Sequence, residues 1–207
     1  MQCHRNPRVA VLLLFFCYKV IRRKNMKYVI ASDIHGSAYW CEKLLAAFNK
    51  EGAQKLILLG DLLYHGPRND FPDGYAPKEV FAMLNGSKDK ICAVRGNCDS
   101  EVDQMVLEFP MLADYALLPY GDKTLFLTHG HLFDENNPPL LRAGDVLFNG
   151  HFHTPRFATM QNGALYANCG SVALPKEGYP HSYLLLDEEG LYLKNLATGE
   201  TFDKATW

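Results

Sequence analysis

The amino-acid sequence predicts an α/β fold in which two mixed β-sheets pack face to face, with helices on their outer faces. Two observations support this class. From Met26 to about Met111, strand-like runs alternate with helical patterns, as in parallel βαβ units. After Met111, strand-like runs follow one another with short turns and few helices, as in a meandering sheet. Packing the two sheets together would bury the apolar faces of both halves.

The helices of the first half are predicted by their ends. Ser37 is a suitable N-cap, and Gly52 is a suitable stop for the helix that follows it. Residues 64–76 are rich in Gly, Pro, Asn and Asp and are expected to form a loop. Pro77 favours the first turn of a second helix. The predicted helices extend from Ser37 to about Lys50, from Pro77 to about Asn85, and over Ser100–Leu107.

The strands are predicted by short apolar runs bounded by turn residues. Continuous apolar runs such as Lys55–Leu59 indicate strands that are buried on both faces. The predicted strands are Lys27–Ser32, Lys55–Leu59, Ile91–Val94, Tyr115–Leu118, Lys123–Thr128, Val146–Phe148, Arg156–Met160, Ala164–Asn168, Tyr183–Leu186 and Leu191–Lys194.

The composition of the chain limits which partners and which cellular compartment are expected for the protein. The chain has 207 residues and a formal charge of −2, which argues against an extended basic surface for nucleic acid. Its six cysteines show no C-x-x-C spacing, so a zinc knuckle is not expected. Scattered thiols of this kind are typical of a reducing compartment, and we expect a cytoplasmic protein.

Residues 1–25 differ from the rest of the chain. The apolar run Val9–Tyr18 is flanked by basic residues and is too short to span a bilayer, which needs about 20 residues. Three interpretations stay open: a mis-assigned start with Met26 as the first residue, a membrane-surface anchor, or a signal sequence. The first is favoured because Met26 leads straight into a strand. We therefore expect residues 1–25 to be an extension and residues 26–207 to form the domain.

Five of the predicted strands run directly into residues that bind metals. In an α/β sheet, ligands bind beyond the carboxyl ends of the strands, so these side chains are expected to meet in one crevice. Carboxylate, amide and imidazole groups without a thiolate suit one or two divalent transition ions. The candidate metal ligands are Asp33, His35, Asp61, Asn97, His129, His151 and His153. The pattern indicates metal-assisted hydrolysis of a phosphoester.

In chain order these strand ends carry DIH, GD, GNCD, THGH and GHFH, which together resemble the motifs of the calcineurin-like metallophosphoesterases. The resemblance covers residues 26–207 and implies the four-layer sandwich of that family. It also implies two divalent ions and a metal-bound hydroxide that attacks phosphorus. Mn²⁺ is favoured, with Fe, Ni and Zn as alternatives. One ion would be held by Asp33, His35, Asp61 and His153, and the other by Asp61, Asn97, His129 and His151.

One position departs from the family pattern. Many members carry His after the motif Asn, whereas this chain has Cys98. Asn97 and Cys98 are candidate catalytic residues, and the alternative for Cys98 is a catalytically silent filler. His65, Arg68 and His131 are candidate substrate-binding residues, because Arg68 could clamp a phosphate through two hydrogen bonds.

These observations predict a phosphodiesterase that acts on small organic phosphodiesters. The alternatives are a phosphomonoesterase or nucleotide hydrolase at the same centre, and a non-catalytic protein-binding scaffold of the same fold. The complete set of seven ligands argues against the scaffold. A nuclease is disfavoured by the charge. We expect no nucleic acid and no membrane as partners of the domain, and self-association is possible.

Overall fold

The structure is a computed structural model that describes residues 26–207, so the expectations for residues 1–25 lie outside the described residues. Two mixed β-sheets pack face to face, as the sequence predicts. The helices are α1 (Ala38–Glu51), α2 (Pro77–Asn85) and α3 (Glu101–Gln104), with a 3₁₀ turn at Lys88–Lys90. The strands are β1 (Tyr28–Ala31), β2 (Lys55–Leu58), β3 (Ile91–Ala93), β4 (Tyr115–Tyr120), β5 (Lys123–Thr128), β6 (Val146–Asn149), β7 (Arg156–Thr159), β8 (Leu165–Asn168), β9 (Ser182–Leu186), β10 (Gly190–Asn195) and β11 (Thr201–Thr206).

The helix ends follow the local signals in the sequence. The Ser37 side chain accepts a hydrogen bond from the Trp40 N–H at 3.2 Å, so Ser37 caps α1. Gly52 ends the same helix with φ of 64°, the left-handed conformation that favours glycine. Pro77 occupies the first turn of α2, as predicted. The third helix is shorter than expected and covers only Glu101–Gln104.

The first sheet has the strand order β11-β10-β9-β1-β2-β3, and β1, β2 and β3 are parallel. The sequence predicts that the two halves of the chain form separate sheets, but β9 returns and pairs antiparallel with β1. This placement explains why all five residues of β9 are buried. A strand in the interior of a sheet that is covered on both faces must be apolar on both faces.

The second sheet has the order β4-β5-β6-β8-β7, in which β5, β6 and β8 are parallel. The layers follow from the alternation of side chains along each strand. Val29 of β1 faces the helices, whereas Ile30 faces the second sheet. The outer face of the second sheet packs against a loop that contributes Phe133 and Leu141. Within residues 26–207 no helix is both long and apolar enough to cross a lipid bilayer.

Candidate metal centre

All seven predicted metal ligands lie in loops at the carboxyl ends of strands. Because β1, β2 and β3 are parallel to one another, and β5 is parallel to β6, these ends share an edge in each sheet. Face-to-face packing then brings the two edges together. Asp33 and His35 follow β1, Asp61 follows β2, Asn97 follows β3, His129 follows β5, and His151 and His153 follow β6.

The backbone of these loops is unusual. Among residues 26–207, six residues other than glycine have a positive φ, and five of the six are predicted ligands. A side chain beyond glycine rarely adopts this conformation, and it persists only where the surrounding structure imposes it. The five are Asp33 (φ 61°), His35 (48°), Asp61 (55°), His151 (61°) and His153 (63°). The fold therefore holds the ligand residues in strained conformations.

Two glycines allow the loops to approach one another closely. A Cβ atom on Gly96 would lie 2.0 Å from Oδ1 of Asp61. A Cβ atom on Gly150 would lie 2.1 Å from Oγ of Ser32 and 2.6 Å from Oδ2 of Asp33. Neither space admits a side chain, so the glycines of the GN and GH motifs are required by sterics.

Three of the ligands form a first group. Nε2 of His153 lies 3.2 Å from Oδ1 of Asp33, and Nε2 of His35 lies 3.5 Å from the same oxygen. The two Nε2 atoms are 3.4 Å apart. The three residues are buried, with 0–3% of each exposed. Donor atoms at these separations are close enough to coordinate one ion.

A second group forms around His129. Its Nε2 lies 3.1 Å from Oδ1 of Asn97 and 3.2 Å from Nδ1 of His151. Asp61 lies between the two groups, because its Oδ2 is 3.4 Å from Nε2 of His129 and 3.7 Å from Nε2 of His35. A carboxylate oxygen in this position is suited to bridge two cations.

Hydrogen bonds to the backbone orient three of the imidazole rings. In His35, His129 and His153 the Nδ1 atom faces a carbonyl oxygen at 2.5–2.8 Å. A carbonyl oxygen only accepts, so Nδ1 carries the proton and, in a neutral ring, Nε2 presents a lone pair. His151 differs, since its Nδ1 points into the centre. The carbonyl oxygens belong to Tyr64, Leu59 and Leu174.

The buried charges shift one another's pKa values. Burial raises the pKa of a carboxyl group, but the nearby His153 and His129 rings outweigh it and hold the pKa of Asp33 well below its usual value. The pKa of Asp61 is likewise lowered, against burial, by His129. Burial lowers the pKa of His129, but Asp33 and Asp61 raise it to about 9. Burial and the neighbouring His129 lower the pKa of His151 to about 4.

Asp99 supports the centre without joining it. Its carboxylate accepts hydrogen bonds from the backbone N–H groups of Asp61, Leu62 and Gly96 at 2.8–2.9 Å. These bonds join the loops that follow β2 and β3. Burial raises the pKa of Asp99 to about 6 despite the three donors. The last residue of the GNCD motif therefore fixes the position of Asp61.

This set of donors fits divalent cations. The Nε2 atoms of His35 and His153 lie 3.4 Å apart, and a cation bound by both would remove the repulsion between two facing nitrogen lone pairs. Asp33, Asp61 and His129 also present donor atoms that all lie within 4.8 Å of one another. Carboxylate, imidazole and amide ligands suit transition ions such as Mn²⁺, Fe²⁺ and Zn²⁺.

A cavity of about 690 Å³ opens beside the centre. Arg68, a candidate substrate-binding residue, lines it together with Asn97 and Cys98. Sequence reasoning missed Phe152 and Lys176, which also line it. Phe152 is signalled by its place between His151 and His153, whereas nothing local signals Lys176.

Two candidate substrate-binding residues lie elsewhere. The lining within residues 26–207 does not include His65, whose ring packs against Phe71 and Tyr75 with centroids 4.5 and 5.4 Å away. It also does not include His131, whose ring lies 5.4 Å from that of His129. Burial and the neighbouring His129 lower the pKa of His131. A role in substrate binding for either residue stays a prediction.

The paired sheets and the ligand-bearing strand ends define a metallophosphoesterase. Residues 26–190 match the family model described as the calcineurin-like phosphoesterase superfamily domain, and the chain belongs to this family. It is 51% identical over 166 residues to phosphodiesterase YfcE of Escherichia coli strain K12, which covers 80% of this chain and 90% of YfcE.

Two further comparisons agree with this assignment. A solved structure of YfcE, a phosphoesterase from E. coli, superposes with a TM-score of 0.85 at 46% identity, covering 87% of this chain and 99% of that one. The probable metallophosphoesterase YsnB of Bacillus subtilis strain 168 is 28% identical over 187 residues, 87% of this chain and 92% of YsnB.

Proposed function

We propose that this protein is a phosphodiesterase that hydrolyses small organic phosphodiesters at a centre of two divalent ions. The observation that carries the proposal is the position of Asp61, whose Oδ2 lies within 3.7 Å of a donor nitrogen in each of the two ligand groups. The similarity to a phosphodiesterase at 51% identity supports the same activity.

The residues of the chain have distinct tasks in this reaction. The first ion would be held by Asp33, His35, Asp61 and His153, and the second by Asp61, Asn97, His129 and His151. Such ions neutralise charge on the phosphoryl oxygens and lower the pKa of a water molecule. The lowered pKa values of Asp33 and Asp61 keep both carboxylates anionic at neutral pH. The carbonyl partners of Nδ1 hold the rings of His35, His129 and His153 in place.

Metal content and a matched pair of substrates test the proposal. We expect protein loaded with Mn²⁺ to contain two ions per chain by mass spectrometry. We expect it to hydrolyse bis(p-nitrophenyl) phosphate faster than p-nitrophenyl phosphate. The reverse preference would favour the phosphomonoesterase, and a chain that takes up no Mn²⁺ would favour the scaffold.

Cys98 is proposed as a proton donor to the leaving group. Burial, together with the nearby Asp61 carboxylate, raises the pKa of its thiol, so the proton stays on sulfur. We expect Cys98→Ala to slow hydrolysis of a diester with an alkyl leaving group and to leave a p-nitrophenyl diester unchanged, because p-nitrophenolate leaves without a proton. Wild-type rates on both substrates in the variant would show that the thiol is a filler.

The finer proposals concern the ion, the compartment and the extent of the domain. The hard oxygen donors of Asp33, Asp61 and Asn97 favour Mn²⁺. Four free cysteines within residues 26–207 suit the cytoplasm. We propose that residues 26–207 form the catalytic domain and that this domain self-associates. Removing residues 1–25 is expected to leave turnover unchanged in a bis(p-nitrophenyl) phosphate assay, and a loss of turnover or solubility would contradict that extent.

A further inference from the structure

The segment Ser171–Lys176 links the cavity to the ligand loops. It follows β8 and runs along the loops that carry Asp33 and His153. The backbone N–H groups of Val172 and Ala173 donate hydrogen bonds to the carbonyl oxygens of Ser32 and Asp33, respectively, at 3.0–3.1 Å. The Ser171 hydroxyl donates to the Asp33 carbonyl at 3.1 Å. The Lys176 N–H donates to the His153 carbonyl at 3.2 Å. Lys176 is therefore fixed at its backbone against the first ligand group.

A strained turn ends this segment directly after Lys176. The Tyr179 N–H donates to the Lys176 carbonyl at 3.0 Å, and both central residues are left-handed, Glu177 with φ of 55° and Gly178 with φ of 77°. This is the pattern of a type I′ turn. Glu177 is the one residue with a positive φ, other than the glycines and the five predicted ligands, within residues 26–207. Backbone strain of this kind concentrates at functional sites.

The cavity carries positive charge on both sides of the centre. The Lys176 backbone is hydrogen-bonded to the loop of His153. Arg68 lies in a different loop, which approaches Cys98 closely, since a Cβ atom on Gly66 would be 3.2 Å from the Cys98 Sγ. Both side chains line the cavity and both are exposed. The lining contains one carboxylate, that of Asp61, which belongs to the ligand set. Within residues 26–207 neither cation has a carboxylate within 4.0 Å.

The size of the cavity indicates a substrate that extends beyond one phosphate. Sites for organic ligands measure about 300–1,000 Å³, and this cavity of about 690 Å³ falls within that range. The scissile phosphodiester carries a single negative charge, and two divalent ions are sufficient to neutralise it. Two further cations with no carboxylate of their own call for a second anionic group on the substrate. The faces of Tyr64 and Phe152 supply apolar surface for the carbon chain between the two anions.

We propose that Lys176 is a substrate-binding residue that holds an anionic substituent, a carboxylate or phosphate, on one alcohol arm of the phosphodiester, with Arg68 as the second cation. The inference rests on the proposed phosphodiesterase function and adds the class of substrate. Binding at Lys176 leaves the chemical step unaltered. Water oxygen bonds to phosphorus, the bond from phosphorus to the leaving-group oxygen breaks, and the substituted arm stays on the phosphomonoester product.

Two nearly isosteric substrates test this inference. They are p-nitrophenyl 3-carboxypropyl phosphate and its carboxamide, p-nitrophenyl 3-carbamoylpropyl phosphate, which differ in charge and share a leaving group. We expect the Mn²⁺-loaded wild type to favour the carboxylate by about fivefold in kcat/KM, through a lower KM, as for a partly exposed ion pair. The preference should shrink as salt rises.

The variants separate binding from structure. Lys176→Gln should erase the preference by raising KM for the carboxylate much more than KM for the carboxamide, and Lys176→Arg should restore it. Lys204→Gln removes an exposed lysine outside the lining and serves as the matched control. Mn²⁺ content confirms that the centre of each variant is intact.

Two results overturn the proposal in distinguishable ways. Hydrolysis of both substrates by the wild type without preference, or an equal loss on both in Lys176→Gln, removes the role of Lys176 and leaves the phosphodiesterase standing. Hydrolysis of neither substrate by the wild type removes the phosphodiesterase itself.

Discussion

The two ends of the first sheet treat charge in opposite ways. At the amino end of the parallel strands, Glu51 at the end of α1 pairs with Lys194 of β10 and accepts a hydrogen bond from the Tyr183 hydroxyl at 2.8 Å. At the carboxyl end, Asp33 and Asp61 are buried among imidazole rings whose Nε2 atoms converge. At the amino end the charged groups pair with one another within the protein. At the carboxyl end the donor atoms are arranged to bind a cation that the protein must take up.

The backbone shows the same contrast. At the amino end the left-handed position after α1 is Gly52, for which this conformation carries no steric penalty. At the carboxyl end the left-handed positions include aspartates and histidines as well as glycines. The comparison indicates that the first end favours stability, and that the second end keeps a strained geometry for its chemistry.

Removing the bridging carboxylate should produce the largest effect. Asp61→Asn, or His151→Ala in the second group, is expected to lower turnover by at least about 100-fold, because each removes a donor from the centre. The far-UV circular dichroism and thermal unfolding of the metal-free protein should stay as in the wild type. Wild-type rates in either variant would refute the two-ion centre.

Adding a side chain where two loops approach closely at the carboxyl end should have a smaller effect, and this effect should be on stability. Gly150→Ala places a Cβ 2.1 Å from Oγ of Ser32, and we expect the free energy of unfolding to fall by about 1–3 kcal/mol. Gly86→Ala is the matched control, because Gly86 is right-handed and a Cβ there has its nearest neighbour at 3.3 Å. Urea denaturation compares the two. Equal losses would show that crowding is no greater at the metal centre than elsewhere.

The ion pair at the amino end should give the smallest effect. Glu51→Gln is expected to lower the free energy of unfolding at pH 7 by about 1 kcal/mol or less. Burial would raise the pKa of Glu51, but Lys194 and Tyr183 outweigh it and lower the pKa from its ordinary 4.5. The stabilisation is therefore present above pH 4.5 and is lost as pH falls through the lower folded-state value.

A double-mutant cycle between Glu51→Gln and Lys194→Gln, measured at pH 7 and pH 3, checks this prediction. The coupling free energy should be present at pH 7 and much smaller at pH 3. A coupling that persists unchanged in acid would show that the Glu51 carboxylate does not contribute through its charge.

Local sequence signals predicted much of this structure, whereas contacts between residues far apart in the sequence could not be predicted from them. Ser37 and Pro77 mark helix starts because capping depends on neighbours in sequence. The ligand loops were predictable because parallel strands bring their carboxyl ends to one edge. The sequence did not predict β11 (Thr201–Thr206), an edge strand whose residues are mostly exposed and carry no apolar alternation. The approach of Lys176 to the centre depends on a bond to the distant His153 carbonyl, which no local pattern reveals.

The ligand set also joins the two layers of the fold. Asp33, His35, Asp61 and Asn97 belong to loops of the first sheet, and His129, His151 and His153 to loops of the second. An ion held by side chains from both sheets acts as a removable cross-link between them. Chelation should therefore loosen the sandwich at its carboxyl edge first, so the supply of metal in the cell would set the lifetime of the folded protein as well as its activity.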